Sequence, residues 1–399
     1  MPSAPPSVRR IIVLGSTGSV GRQTLEVIAH LNDLHAKGVF ATRLDVVGLA
    51  AGHDAETLNV QASRFSCPEV AIAQPVGGSI AERARVGPSA AGLLVEEVDA
   101  DMVVSAIVGF AGLEATLAAL ERGRDVALAN KESLVAAGSI VVDTARRSGA
   151  RLLPVDSEHA GVWQCLRLLP GDEAPPLAAP AHVSRIVLTA SGGPFRTWTR
   201  EQADHATPEQ ALAHPTWRMG AKISVDCASL MNKSLELIEA HWLFEVSPER
   251  LGAIIHPESI VHAIVEHADG SVVAQMASTD MRGPIQHALA WPEVLPSPLG
   301  RLDLARLASL RFEEPDLDRF PALALATEVM TRGGNAGAIL SAANEAAVAA
   351  FLQGLIPFGR IVDLASEALD AVPHHAITDL DDARKADDSA RRFIRERCG

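Results

Sequence analysis

The sequence predicts an α/β protein with an N-terminal doubly wound parallel sheet, a following α+β unit and a small helical unit at the end. Three observations predict it. Up to Val155, short and continuously apolar runs alternate with Ala-rich segments of helical period, which is how strands buried on both faces by helices read. Past Asp156 the pattern changes to isolated strands around one long helical stretch. From Pro321 onward, Ala-rich amphipathic segments dominate.

The first apolar run, residues 10–14, ends in glycine and opens a segment of helical periodicity over 20–30. Further strands are expected at 44–49, 70–73, 101–107, 125–129 and 151–155, with helices over 112–122 and 132–147. Six strands in all match a complete Rossmann-like domain. The Pro/Ala-rich stretch 171–180 reads as a surface loop. It is followed by strands at 185–190, 260–265 and 271–275 and a helix over 232–244. The proline-spaced stretch 295–315 reads as a connection, and helices are expected at 336–352 and 361–369.

Composition excludes several functions. With 49 acidic against 35 basic residues the chain carries a formal charge of −14. Such a surface repels polyphosphate, so neither nucleic acid nor an anionic membrane is an expected partner. A small phosphorylated substrate would need a locally basic pocket. The four cysteines form no CxxC pair, which fits neither a zinc site nor a disulfide framework and points to a reducing cytoplasm. The start lacks an apolar signal-peptide core, and no run of roughly 18 apolar residues is available to span a bilayer. The chain has no tyrosine, so oxidoreductase mechanisms that use a tyrosine acid are excluded.

Gly15-Ser-Thr-Gly18-Ser-Val-Gly21 lies between the first strand and the first helix. Glycines there allow a tight turn and close backbone approach to a pyrophosphate, and the helix N-terminus offers free N–H groups to that anion. The second strand ends at Ala51-Gly52-His53-Asp54. An acidic residue at that place favours NAD over NADP, although Asp54 also reads as a helix cap.

Carboxylates and polar groups cluster at four more places. Asp156-Ser157-Glu158-His159 follows the sixth strand, on the side of an open α/β sheet where ligands bind. Two carboxylates one residue apart suit a hard divalent cation, and they equally suit a turn or helix cap. In Met231-Asn-Lys-Ser-Leu-Glu236, helical spacing puts Asn232, Lys233 and Glu236 on one face. That face is either solvated or built for phosphate and metal. Ser191-Gly-Gly-Pro-Phe195 could present a hydroxyl and backbone N–H groups to a phosphate. The His214–Gly220 loop, with Trp217 and Met219, reads as a local anchor or a lid. Lys131, in Ala129-Asn-Lys-Glu-Ser133, ends the fifth strand and reads as either a surface residue or a ligand.

Read together, these strings resemble 1-deoxy-D-xylulose 5-phosphate reductoisomerases. The resemblance is carried by Leu14-Gly-Ser-Thr-Gly-Ser-Val-Gly21, Ala129-Asn-Lys-Glu-Ser-Leu134, Leu153-Pro-Val-Asp-Ser-Glu-His159 and Ser191-Gly-Gly-Pro-Phe-Arg196. It continues through His214-Pro-Thr-Trp217, Lys222-Ile-Ser-Val-Asp226, Met231-Asn-Lys233 and Ala342-Ala-Asn-Glu345, all in the family's order.

The resemblance implies an NADPH-binding domain over 1–155, a catalytic and dimerisation domain with a lid loop over 156–300, a linker over 301–320 and a helical domain over 321–399, assembled as a homodimer. It implies a Mg or Mn ion held by Asp156, Glu158 and Glu236. It places Ser191, Asn232, Lys233, His214 and position 227 around the substrate's phosphate, Ser157, Glu158 and Lys131 at its oxygenated end, and Trp217 and Met219 in the lid. Thr17, Gly18, Ser19, Val20, Gly52, Asn130, Glu132 and Gly220 would line the cofactor. Lys131, Asp156, Glu158, His214 and Glu236 would carry the catalysis. The implied reaction is retro-aldol cleavage of the C3–C4 bond, re-addition to a branched aldehyde and reduction by NADPH to 2-C-methyl-D-erythritol 4-phosphate, a step of non-mevalonate isoprenoid precursor biosynthesis.

Three positions depart from the family's pattern. His53-Asp54 stands where a basic residue followed by Asn is common, Ala213 where a basic residue precedes the histidine, and Cys227 where a serine helps bind the phosphate. They bear on cofactor preference and substrate affinity, and leave the carboxylate triad intact. Rival readings fit less well. A semialdehyde or homoserine dehydrogenase needs no such triad, and a dinucleotide-sensing regulator would need a DNA-binding segment that this acidic chain does not offer.

Overall fold

The computed structural model describes residues 8–76, 83–167, 173–217 and 219–398. The expected N-terminal tail up to residue 7, and residues 171–172 of the expected surface loop, lie outside them.

Seven parallel strands form the first sheet: β1 (Val8–Leu14), β2 (Arg43–Ala51), β3 (Glu69–Ile72), β4 (Arg85–Val86), β5 (Met102–Ser105), β6 (Asp125–Leu128) and β7 (Leu152–Pro154). Their order is β4-β3-β2-β1-β5-β6-β7, with every pair parallel. The strand that the six-strand expectation lacks is β4. Two residues on the sheet edge are too short to make an apolar run. Ile11, Ile12, Val13 and Leu14 are fully buried because helices cover both faces, which is why this strand reads as an unbroken apolar string.

The order reverses at β1, between β2 and β5, and this switch point is where such sheets bind ligands. The chain leaves β1 through Gly15 at φ 74°. A Cβ there would lie 2.4 Å from the carbonyl oxygen of Ala106, which follows β5. The turn and the close approach of the two strand ends both require glycine.

The second sheet holds β8 (Val183–Ala190), β9 (Leu251–Ile255), β10 (Val261–His267) and β11 (Val272–Met276) in the order β11-β10-β8-β9. The pair β8–β9 is parallel, and β10 runs antiparallel to both its neighbours. The sequence reading lacked β9. Its five residues continue directly from a 3₁₀ turn at Pro248–Arg250, and periodicity does not distinguish so short an apolar run from a buried helix end.

The helix Met231–Phe244 packs against the helix Lys131–Ser148 from the first sheet's domain, and so does the C-terminal helix Ala336–Leu352. That last helix is buried around most of its circumference, enclosed by Arg360–Ala371 and Leu380–Cys398 as well. The stretch 301–320 carries a short helix, Leu304–Leu307, and is pinned to β9 by a bridge between Glu313 and Ile255. No described helix is long and apolar enough to cross a membrane.

Candidate active site

One cavity of about 670 Å³ opens between the carboxyl ends of the first sheet's strands and the carboxyl end of β8. Gly18, Ser19 and Val20 line it from the turn after β1, and Asn130, Lys131 and Glu132 from the end of β6. Asp156, Ser157 and Glu158 enter after β7, and Ser191 after β8. His214, Trp217, Met219 and Gly220 line it from the loop before the helix Ala221–Ala228, and Cys227, Asn232, Lys233 and Glu236 form its floor. Of the residues expected at the site, Thr17 and Gly52 do not line the cavity. Gly52 is exposed beyond the end of β2.

Asp156 precedes the helix Ser157–Leu166 without capping it. Its carboxylate instead joins those of Glu158 and Glu236, with one oxygen from each inside a mutual distance of 4.8 Å. Two ammonium groups lie among the three carboxylates. Lys131 Nζ is 2.6 Å from Asp156 and 2.9 Å from Glu236, and Lys233 Nζ is 2.7 Å from Glu158 and also contacts Glu236. Lys131 further donates to Asn232 Oδ1 at 2.9 Å, and Ser157 Oγ donates to Glu158 at 2.5 Å.

Burial and the Glu236 charge push the Glu158 carboxyl up, to about 7. Burial acts most strongly, to raise Asp156, but the surrounding positive charges, Lys131 first, and the Lys131 hydrogen bond together hold that carboxyl below the usual range. Lys131 is desolvated as well, yet Asp156 and Glu236 keep its ammonium protonated well above the ordinary lysine range. Like charges crowded into a low-dielectric pocket are a strained arrangement, and here the carboxylates outnumber the ammoniums. Backbone strain adds to it, because Leu230, just before the helix Met231–Phe244 that carries Lys233 and Glu236, is held at φ 60°.

The polar end of the cavity is organised by His214. Its Nδ1 accepts the backbone N–H groups of Thr216 at 3.2 Å and Trp217 at 3.0 Å. With Nδ1 taken up as an acceptor, the neutral ring carries its proton on Nε2, and burial, which lowers the pKa, favours that form. That N–H faces Ser191 Oγ at 3.1 Å, and Ser191 Oγ also accepts Gly193 N–H at 3.2 Å.

At the turn after β1, Gly18 precedes the helix Ser19–Ala36 with no side-chain cap. Gly18 offers no side chain to the helix's first N–H groups, and Gly18, Ser19 and Val20 line the cavity. Asn130 spends its amide on structure, donating to the carbonyls of Ile107 (2.6 Å) and Gly109 (2.9 Å) and accepting Ser133 N–H. Glu132 is tied to Lys222 Nζ at 2.6 Å. Asp54 is a helix cap, accepting Thr57 N–H at 2.9 Å.

Sequence reasoning passed over three groups here. Lys222, inside a matched string but given no role, links Glu132 to Asp226. His262 on β10 lines the cavity, and burial lowers it to about 4; a histidine inside an apolar run carries no signal of its own. Glu239 lies beside His159 (3.4 Å), and with Asp156 they form a second close cluster. The i+3 spacing from Glu236 was the available clue.

Comparison with known proteins agrees along the whole chain. The 1-deoxy-D-xylulose 5-phosphate reductoisomerase family profile matches residues 11–138, and two C-terminal profiles of the same family match 152–244 and 276–393. The chain is 44% identical to the 1-deoxy-D-xylulose 5-phosphate reductoisomerase of Chlorobium limicola over 98% of this chain and 100% of that one. It is 48% identical to that of Rhodospirillum centenum over 98% and 94%. Among solved structures, the Zymomonas mobilis reductoisomerase in complex with NADPH shares 40% identity, covers 98% of this chain and 99% of its own, and superposes with a TM-score of 0.85. A DOX-P reductoisomerase in complex with NADPH, fosmidomycin and magnesium shares 34%, covers 98% of each chain and gives 0.86. The chain belongs to the 1-deoxy-D-xylulose 5-phosphate reductoisomerase family.

Proposed function

We infer that the chain converts 1-deoxy-D-xylulose 5-phosphate into 2-C-methyl-D-erythritol 4-phosphate with NADPH and a divalent metal, Mg or Mn, in non-mevalonate isoprenoid precursor synthesis. The observation that carries this reading is the carboxylate triad facing the uncapped, glycine-rich helix start across one cavity. Both cofactors fit the residues present. Three hard oxygen donors with excess negative charge suit a divalent cation, and the free helix N-terminus suits a pyrophosphate.

Asp156, Glu158 and Glu236 would hold the metal, and the Gly18–Val20 turn with Gly220 would hold NADPH. When bound, the metal supplies a Lewis acid for the substrate's oxygens, and NADPH supplies the hydride. The chain's own residues then position the fragments. Ser191, the Nε2–H of His214, Asn232 and Lys233 are a donor set for the phosphate, which stays anchored while the carbon skeleton is in two pieces. Lys131, held against Asp156 and Glu236, places a cation beside the substrate's oxygens. Trp217 and Met219 cover the cavity and exclude water.

The proposed domains are 1–155, 156–300, a linker over 301–320, and 321–399. They follow the two sheets and the terminal helices. A homodimer is supported by β11, which lies at the edge of its sheet, paired among the described strands only with β10, and which exposes Val272. A cytoplasmic setting is supported by four unpaired cysteines. The test is oxidation of NADPH on adding deoxyxylulose phosphate, with and without Mn²⁺. Turnover that ignores both substrate and metal would overturn the reading.

A further inference from the structure

At the opposite end of the first sheet from the active site, the amino ends of β1, β5, β6 and β7 surround an open bowl of about 690 Å³. Five arginines line it: Arg9, Arg10, Arg122, Arg124 and Arg151. On a chain of net charge −14, so dense a basic cluster stands out.

Three aspartates share the bowl, but two of the arginines use them up. Arg10 pairs with Asp101 at 2.8 Å and also contacts Asp99, and Arg151 donates to Asp125 at 2.9 Å. The other three guanidiniums have no carboxylate at ion-pair distance among the described residues. Each is anchored by a single backbone carbonyl: Arg9 by Leu289 at 2.8 Å, Arg122 by Ala118 at 3.1 Å and Arg124 by Val95 at 2.5 Å.

A guanidinium has five N–H donors, so each of these three is held in place with most of its donors unspent. Arg151 is fixed as well, lying over the Trp291 ring at 4.6 Å. Burial disfavours the charge on Arg9 and Arg124, and a bound anion would relieve that cost. Preorganised, unspent guanidinium forks are the donor set for phosphate oxygens. Three separate forks around a bowl of about 690 Å³ leave room for two linked phosphoryl groups, each with guanidinium donors of its own.

We propose that this bowl is a second anion site, separate from the active site, that binds a diphosphate group. It needs no metal and no residue of the catalytic cavity.

The test is calorimetric titration of inorganic pyrophosphate, and in parallel of ADP, into the NADPH-saturated protein in metal-free buffer. Pyrophosphate should bind at least tenfold more tightly than inorganic phosphate, and the affinity should fall with added salt. Arg122→Gln, at an exposed position, and the double variant Arg122→Gln/Arg124→Gln should each weaken it, the double by tenfold or more, with NADPH-dependent turnover unchanged. Ser191→Ala, in the active-site cavity, should leave it unaltered. Tighter binding of ADP than of pyrophosphate would assign the site to a nucleoside diphosphate, and equal binding to the diphosphate group alone. Absence of binding by both anions, or binding that survives the double variant or is lost in Ser191→Ala, would overturn the proposal.

Discussion

Asn344 donates to the Asp226 carboxylate at 2.8 Å, and both residues are buried. Asp226 also meets Lys222 at 2.9 Å, and Lys222 reaches Glu132 at 2.6 Å. A line of polar contacts thus runs from the C-terminal helices through the cavity floor to the helix that begins at Lys131. Removing one member leaves a buried charge short of a partner, which costs about 1–3 kcal/mol. Asn344→Ala is expected to lose that much stability in urea denaturation. Asn344→Asp should lose more, because it sets a second carboxylate against the first. A wild-type midpoint for both would show the contact to be dispensable.

Glu236 is contacted by both active-site ammoniums, which makes it the triad member whose charge is most heavily used. Glu236→Gln keeps the shape and removes one negative charge from the metal set. Turnover should fall by at least a hundredfold, while NADPH binding followed by fluorescence stays close to wild type. Full activity of this variant without excess metal would remove Glu236 from the set.

How much of this was legible in sequence differs between the two sheets. The first was readable because its strands, such as Ile11 to Leu14, are buried on both faces and spell unbroken apolar runs. The edge strand Arg85–Val86 was not, since two residues carry no period. By spacing alone the triad was visible as two separate strings, Asp156–Glu158 and Glu236, and the family resemblance was what joined them. Its assembly depends on the helix 231–244 lying beside the start of the helix 157–166, where His159 Nε2 meets the Glu236 carbonyl at 2.8 Å, a long-range fact that periodicity does not contain. The Glu239–His159 pair and the basic bowl were hidden for the same reason. Arg9, Arg124 and Arg151 are far apart in sequence and meet only because parallel strands align their starts.

Cys227 lines the cavity beside Asn232 and Lys233. Burial pushes its thiol well up, so it is a neutral group at working pH. A thiol donates weakly to a phosphate oxygen, whereas a hydroxyl bonded to a charged group contributes roughly 1.5–3 kcal/mol. Cys227→Ser is expected to improve the KM for substrate several-fold, with no gain for an analogue lacking the phosphate. An unchanged or poorer KM would mean the pocket is packed around sulfur.

Asp54 caps the helix Ala55–Arg64 as an ionised group, its carboxyl held low by the hydroxyl and N–H of Thr57. It therefore places a fixed negative charge at the end of β2, with the exposed His53 beside it. NADPH should still be preferred over NADH, by a smaller margin than a basic pocket would give. His53→Lys should widen that margin in kcat/KM. A wild-type preference for NADH would show that Asp54 reads the ribose.

The acid limb of stability should depend on His287. Its ring packs edge-on against Trp163, with centroids 4.5 Å apart, and its buried Nε2 has no hydrogen-bond partner among the described residues. Burial, aided by the Arg167 charge, lowers its pKa from 6.5 to about 4. In the unfolded chain the ring gains its proton near pH 6.5, whereas in the folded chain it stays neutral until about pH 4. Between those values the unfolded state binds more protons, so stability falls as the pH drops through the window and levels off below it. The loss from this one group is at most about 3 kcal/mol. His262, lowered to about 4 by its own burial, acts in the same direction. His287→Phe keeps an aromatic ring and removes the titration, so its melting temperature should decline less than that of the parent between pH 6.5 and 4. His262 should preserve part of the slope. Parallel declines for parent and variant would show that His287 is accommodated as a cation and does not set the acid limb.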